Sequence, residues 1–169
     1  MAGPARRTHR LERSVLVARP LEEVFAFFAD ASNLESITPR FLRFRILTPV
    51  PIEMRAGSRI DYALSLFGIP LRWVTRIAAW EPGIRFVDVQ ERGPYALWRH
   101  THEFERREGA TRVRDVVEYA LPLGPLGALA HALFVRRALD RIFDFRRDAI
   151  RRLLEEGGAP PAREATSAR

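Results

Sequence analysis

Alternating apolar and polar residues run from Phe41 to Tyr119, and this pattern narrows the choice of fold more than any other in the chain. A period of two is typical of β-strands that bury one face. Turn-forming residues interrupt the alternation at PVP (49–51), FGIP (67–70), EPG (81–83), RGP (92–94) and REGA (107–110). The pattern therefore predicts six strands in an antiparallel meander, near 41–48, 58–66, 71–80, 84–91, 95–106 and 111–120.

The segment before this meander predicts one strand and two short helices. The strand is expected over 11–17. Pro20, followed by two glutamates, indicates a helix over 22–30, because proline suits the first turn and acidic groups favour the positive end of the helix dipole. A second helix over 31–38 should end before Pro39.

The segment after the meander predicts a single long helix over 126–156, because apolar residues recur there at spacings of three and four. Two glycines follow and terminate it. We therefore expect one domain over 10–156, between a disordered basic tail at 1–9 and a disordered tail at 157–169. This order of elements indicates an α+β domain whose curved sheet wraps a helix.

The formal charge of +7 suggests an anionic partner at first sight, but much of it lies at the two ends. Residues 1–10 contribute +3 and residues 157–169 contribute +1, so the rest carries only +3, and we expect no nucleic-acid binding. The absence of cysteine excludes disulfides and thiolate chemistry. No signal-peptide pattern is present, and the longest apolar stretch, 119–135, is too short to span a bilayer, so we expect a soluble, cytoplasmic protein.

Arginine positions give each predicted strand an orientation, because arginine side chains are rarely buried without a partner. Residues of the opposite parity should face the long helix, and most of them are apolar. The polar exceptions lie on four consecutive strands and would project into one space: Thr75, Asp88, Gln90, His100, His102 and Asp115. Burying an unpaired polar group costs roughly 1–3 kcal/mol, so these side chains must pair with one another, with water or with a ligand.

Several motifs resemble those of the SRPBCC or START-like superfamily, whose fold is called the helix grip. They are ITP (37–39), GIPLRW (68–73), RFVD (85–88), GPYALWRHTHEF (93–104) and RDVVEY (114–119), and they are most similar to those of bacterial polyketide cyclase/dehydrase-like proteins. The resemblance covers roughly residues 10–155. It implies a curved antiparallel seven-stranded sheet around a long C-terminal helix, with a cavity between them for a hydrophobic or amphipathic small molecule.

We expect the polar end of the ligand to lie near His100, His102, Asp88 and Asp115, and its apolar body to contact aromatic side chains. The full predicted binding set is Tyr62, Trp73, Thr75, Phe86, Asp88, Gln90, Trp98, His100, His102, Phe104, Asp115 and Tyr119. The leading interpretation is a carrier or sensor of this ligand. The alternative is an acid/base enzyme of the polyketide cyclase or dehydratase type, with the same four polar residues as catalytic candidates.

A metal site is a further interpretation of His100 and His102, because H-x-H on a strand presents two metal ligands in cupins. The cupin spacing is missed, since Gly93 lies seven residues before His100 instead of six and arginines occupy the glutamate positions. A one-residue shift on a strand turns the side chain to the other face. We therefore expect no metal and no other cofactor, although Asp88 or Asp115 could complete a two-histidine, one-carboxylate set.

The arginines of the long helix alternate with acidic residues at helical spacings, which predicts a solvated helix face. They are Arg136, Arg137, Arg141, Arg146, Arg147, Arg151 and Arg152. A minority interpretation is weak contact with an anionic membrane or a protein, which would make the chain a lipid or protein interaction module. His131, early in this helix, is expected to pack or to reach solvent rather than to catalyse.

Overall fold

A computed structural model describes residues 7–157 of the chain. Its strands and helices are β1 (His9–Val17), α1 (Leu21–Ala29), β2 (Arg45–Ile46), β3 (Arg59–Leu66), β4 (Ile69–Glu81), β5 (Arg85–Arg92), β6 (Leu97–Arg107), β7 (Ala110–Ala120), α2 (Gly124–Ala130) and α3 (Arg136–Glu155). Two short 3₁₀ turns, Ala31–Leu34 and Arg40–Leu42, follow α1, and a π turn over His131–Val135 joins α2 to α3.

The seven strands form one antiparallel sheet in the order β1-β7-β6-β5-β4-β3-β2. Strands β3 to β7 follow one another as hairpins, residues 47–58 connect β2 to β3, and β1 pairs with β7 at the opposite edge of the sheet. The short connections between strands of alternating polarity favour this meander. The predicted α+β fold, a curved seven-stranded sheet with a long C-terminal helix, is confirmed.

Buried apolar side chains of α3 and of the sheet form the core between them. Leu139 and Phe143 of α3 pack in one cluster with Val117 of β7, and Ile150 packs in another with Val15 of β1. Burial of each large apolar side chain stabilises the fold by roughly 1.5–3 kcal/mol. These contacts hold α3 over the sheet, so residues between the two clusters on this face of α3 also face the sheet.

The second predicted helix, over 31–38, is reduced to a single 3₁₀ turn. The carboxylate of Asp30 accepts hydrogen bonds from the backbone N–H and the hydroxyl of Ser32, at 2.9 and 2.6 Å. The side-chain amide of Asn33 donates to the carbonyl oxygen of Phe27 at 2.9 Å. Such local bonds compete with the backbone hydrogen bonds of a helix, which explains the shorter element.

The strand predicted over 41–48 is also shorter, since β2 contains only two residues. Arg43 follows the second 3₁₀ turn with a φ of 46°, in the left-handed region. A strand cannot continue through this backbone conformation. The sheet therefore gains its seventh strand only at Arg45.

The long helix predicted over 126–156 runs from Gly124 to Glu155, with the π turn inside it. Strand β1 begins at His9, which the sequence placed in the N-terminal tail. Most of both predicted tails, residues 1–6 and 158–169, lies outside the described residues. Within 7–157, no helix is long and apolar enough to cross a membrane.

Candidate functional site

A cavity of about 180 Å³ lies between the sheet and α3. Strands β3 to β6 supply one wall, α3 supplies another, and residues 27–42 contribute at the edge. Most of the lining side chains are aliphatic or aromatic. An apolar cavity with a few placed polar groups is the usual form of a small-molecule site.

Eight of the twelve predicted binding residues line this cavity. They are Tyr62, Trp73, Thr75, Phe86, Asp88, Trp98, His100 and His102. Thr75 joins two of the aromatic residues, because its hydroxyl lies 3.0 Å from the Tyr62 hydroxyl and accepts a hydrogen bond from the Trp73 indole at 3.1 Å. The alternating pattern of the strands therefore brings these eight side chains to one space, on the face opposite to the arginines that give each strand its orientation.

The other four predicted residues lie elsewhere. Gln90 bonds both backbone groups of Tyr95, at 2.7 and 3.2 Å, and so stabilises the β5–β6 connection. Phe104 packs in the core, and the Tyr119 hydroxyl lies 2.9 Å from His131 Nε2. Asp115 is buried behind the two cavity histidines rather than on the cavity wall.

Strand register places two carboxylates and two imidazoles side by side. In the β5–β6 pairing Asp88 stands opposite His100, and in the β6–β7 pairing Asp115 stands opposite His102. Directly opposite and diagonal neighbours on one face of a sheet both come within contact range. Each carboxylate can therefore reach both histidines.

The observed distances form a closed arrangement. His100 Nε2 lies 3.0 Å from Asp115 Oδ1, and His102 Nε2 lies 3.0 Å from Asp88 Oδ2, both as hydrogen bonds. His102 Nδ1 is also 2.8 Å from Asp115 Oδ1 but is not aligned for a hydrogen bond. His100 Nδ1 lies 3.5 Å from Asp88 Oδ2, and the two imidazole centroids are 3.8 Å apart.

Arg146 of α3 completes this group, which we call the polar cluster: Asp88, His100, His102, Asp115 and Arg146. Its Nε lies 3.6 Å from Asp115 Oδ2, and its guanidinium carbon lies 5.6 Å from the centre of the Phe28 ring. Only 8% of Arg146 is exposed, so the prediction of a solvated arginine was wrong here. The available signal was helical spacing, because Arg146 falls on the same buried stripe as Leu139, Phe143 and Ile150.

Charge pairing within the polar cluster sets the protonation of its members. Burial favours the neutral carboxylic acids, but Arg146 and the two imidazoles outweigh it and hold the pKa of Asp115 well below its ordinary value. The hydrogen bond from His102 and the charges of its neighbours likewise lower the pKa of Asp88 against burial. Both carboxylates are therefore ionised at neutral pH.

The two histidines shift in opposite directions. Burial opposes the charge on both rings, but for His102 the carboxylates of Asp115 and Asp88 outweigh it and raise the pKa above 6.5. For His100, burial and the neighbouring His102 keep the pKa below 6.5. At pH 6.5, which lies between these two pKa values, His102 is mainly protonated and His100 mainly neutral. Two negative and two positive groups then balance in the polar cluster.

Asp88, His100 and His102 have donor atoms within 4.8 Å of one another, a spacing that a divalent cation could use. The same atoms already pair with one another, and the guanidinium of Arg146 supplies positive charge to the neighbouring carboxylate. A cation would have to displace these pairs and would lie near a fixed positive group. The arrangement therefore favours a charge-balanced polar cluster over a metal centre.

Comparison with known proteins identifies a family and several similar folds. Residues 8–155 match the model of the family described as polyketide cyclase / dehydrase and lipid transport. Two uncharacterized proteins of Mycobacterium tuberculosis are 35% identical over 82 residues, a match that spans 48% of this chain and 34% of theirs. The chain thus matches about a third of the length of these curated relatives.

Two solved structures show the same fold. TTHA0849 from Thermus thermophilus has a TM-score of 0.69 at 18% identity, over 90% of this chain and 100% of that chain. Protein CV1439 from Chromobacterium violaceum has a TM-score of 0.64 at 16% identity, over 88% of this chain and 96% of that chain. At these identities the likeness concerns the fold alone.

At pH 6.5, where a free imidazole is half protonated, we expect His102 to be protonated and His100 to be neutral. The stability that the charged His102 contributes is fully present below 6.5 and is lost as the pH rises through its raised pKa. His100 acts in the opposite sense, lowering stability as the pH falls below 6.5. An NMR titration of the ring nitrogens measures both values, and two histidines titrating together near 6.5 would contradict the charge balance.

Replacing Asp115 with alanine should lower the free energy of unfolding by about 3–5 kcal/mol, because it leaves buried positive groups without their carboxylate. Asp144→Ala is the matched control, since Asp144 forms partly exposed ion pairs with Arg13 and Arg147. Such pairs contribute about 1 kcal/mol or less each. Urea denaturation measures the free energy of unfolding of both variants. Equal losses would show that the ion pairs of the polar cluster stabilise the fold no more than surface pairs do.

Proposed function

Because the chain belongs to the polyketide cyclase / dehydrase and lipid transport family, we propose that it binds a small hydrophobic or amphipathic molecule in the cavity between the sheet and α3. The observation that carries this proposal is the uneven lining of the cavity. Four members of the polar cluster, Asp88, His100, His102 and Arg146, contribute to a wall that is otherwise mostly apolar. An amphipathic molecule would place its polar end there and its body against the aromatic side chains.

The apolar part of the wall is suited to flat or chain-like molecules. Trp73 stacks near Tyr62, with ring centroids 6.0 Å apart, and meets Trp98 edge-on at 5.2 Å. Aromatic side chains supply large, rigid contact areas at a low cost in side-chain entropy. These three rings therefore support binding through shape and apolar contact.

An acid/base enzyme remains the alternative use of the same cavity. A general base must present a free nitrogen lone pair toward the substrate. In the polar cluster, one nitrogen of each histidine forms a hydrogen bond with a carboxylate, and the other lies within 3.5 Å of the second carboxylate. Because each imidazole lies against both carboxylates, the arrangement supports a binding role over proton transfer.

Native mass spectrometry of the purified protein tests the binding proposal, followed by solvent extraction and a metal assay on the same sample. We expect one organic molecule per chain. Leu64→Trp, which fills the cavity, should lower the bound fraction at least about tenfold. Leu16→Trp, on the exposed side of β1, is the control and should not change it.

The outcome that would contradict this proposal is a bound metal in place of an organic molecule. One iron, zinc or manganese per chain, lost in a His100→Ala, His102→Ala double variant, would make the polar cluster a metal centre. Turnover of a polyketide-like substrate that disappears in His100→Ala would instead support the enzyme.

A second candidate function, contact with an anionic lipid bilayer, is supported by an exposed apolar segment over 123–134. Residues 119–135 contain no arginine, aspartate or glutamate. The large side chains of the segment are 49–76% exposed: Leu123, Leu126, Leu129, Leu133 and Phe134. Exposed apolar surface of this kind marks a binding face.

Arginines beside the exposed apolar segment favour a bilayer over a second copy of the chain. Arg136 and Arg137 follow it closely along the helix, and Arg141 lies about one turn further on. Two copies packed through this face would bring these like charges together, whereas anionic headgroups would neutralise them. Interfacial helices combine an apolar face with such basic residues.

Vesicle sedimentation tests this second candidate. Binding should be stronger to vesicles that contain phosphatidylglycerol than to pure phosphatidylcholine, should weaken with added salt, and should be lost in Leu126→Glu, Leu129→Glu. Leu16→Glu serves as the control on an exposed strand. A concentration-dependent dimer in light scattering, without vesicle binding, would assign the segment to a second copy instead.

A further inference from the structure

We propose that the ligand of this cavity is an amphipathic carboxylic acid whose carboxylate binds the guanidinium of Arg146. This inference rests on the proposed binding function and names the chemical class of the ligand. It follows from Arg146, the member of the polar cluster on α3, whose Nε has no hydrogen-bond partner within residues 7–157.

Arg146 is buried with one of its hydrogen-bond donors, Nε, unpaired in the part of the chain that the structure describes. The side chain lines the cavity and is nine-tenths buried, yet its Nε has no hydrogen-bond partner among the described residues. The nearest carboxylate oxygen, Asp115 Oδ2, lies at 3.6 Å, beyond hydrogen-bond range. An unpaired buried donor is destabilising, and the effect is larger for a charged group. A ligand acceptor at this position would remove that penalty.

Neighbouring groups fix the position of the guanidinium. The ring of Phe28 lies against it, with 5.6 Å between the guanidinium carbon and the ring centre, and Asp115 attracts it from β7. The planar fork of an arginine matches the two oxygens of a carboxylate, and binds them through parallel hydrogen bonds. Because the guanidinium is already held in place, little side-chain freedom is lost on binding.

The charge balance of the polar cluster also predicts how binding of the ligand changes the protonation of the site. At pH 6.5, a bound carboxylate adds one negative charge to a group whose charges otherwise balance. The charged groups beside His100 are Asp88 from β5, Asp115 from β7 and His102 on its own strand. Arg146 from α3 lies next to Asp115. His100 is the member that can take up a proton and restore neutrality. Binding of the acid should therefore be coupled to proton uptake.

A pair of matched probes tests the inference: decanoic acid and decan-1-ol, titrated into the protein by calorimetry. The acid should bind about 10- to 100-fold more tightly than the alcohol, because only the acid forms charge-assisted hydrogen bonds with Arg146. Arg146→Met should bring the two affinities within about threefold of each other. Arg152→Met, exposed on the same helix, is the control and should retain the preference.

Proton uptake provides a second measurement that needs no variant. Titrations at pH 6.5 in two buffers of different ionisation enthalpy should show up to about one proton taken up per acid bound, and none for the alcohol. This measurement keeps the inference falsifiable even if Arg146→Met fails to fold.

Three results would overturn the inference. Equal affinities of the acid and the alcohol for the wild-type protein would overturn it and leave the proposed binding function intact. An acid preference that persists in folded Arg146→Met, or acid binding without proton uptake, would also overturn it. Failure of both probes, together with an empty purified protein, would overturn the inference and the proposed function alike.

Discussion

The pairing of two carboxylates with two imidazoles across β5, β6 and β7 is the interaction on which the site depends. Its members come from three adjacent strands, and Arg146 links them to α3. A register slip of one residue on any of these strands would turn its polar side chains to the outer face. The polar cluster thus specifies the register of the central sheet and the placement of the helix at the same time.

Stability alone does not explain why a chain keeps such a group in its interior. Charged groups lose their hydration on burial, and well-packed apolar residues of similar volume are often as stabilising as a buried ion pair or more so. The polar cluster also leaves donors unsatisfied, at His102 Nδ1 and at Arg146 Nε. A ligand that accepts a hydrogen bond from Arg146 would satisfy one of these donors, and the adjoining apolar cavity would hold the rest of the molecule.

Much of this could be predicted from sequence, because strands alternate strictly. The inward direction of Asp88, His100 and His102 follows from period two, and the motifs along the chain identified the family. Local backbone conformation was not predictable in the same way. Arg43 adopts a left-handed conformation that shortens β2, and the alternation of apolar and polar residues does not predict it. Arg146 was missed because acidic neighbours at helical spacings resemble a solvated face, although its position on the apolar stripe indicated burial.

The most direct test of this account is a crystal structure of the protein in complex with a long-chain carboxylic acid. The account predicts the carboxylate within about 3 Å of the guanidinium nitrogens of Arg146, with the chain running between α3 and the ring of Trp73. His100, which we expect to hold the added proton, should keep its contacts with Asp88 and Asp115. A molecule bound outside the cavity, or one whose carboxylate points to solvent while its chain contacts the polar cluster, would contradict the account.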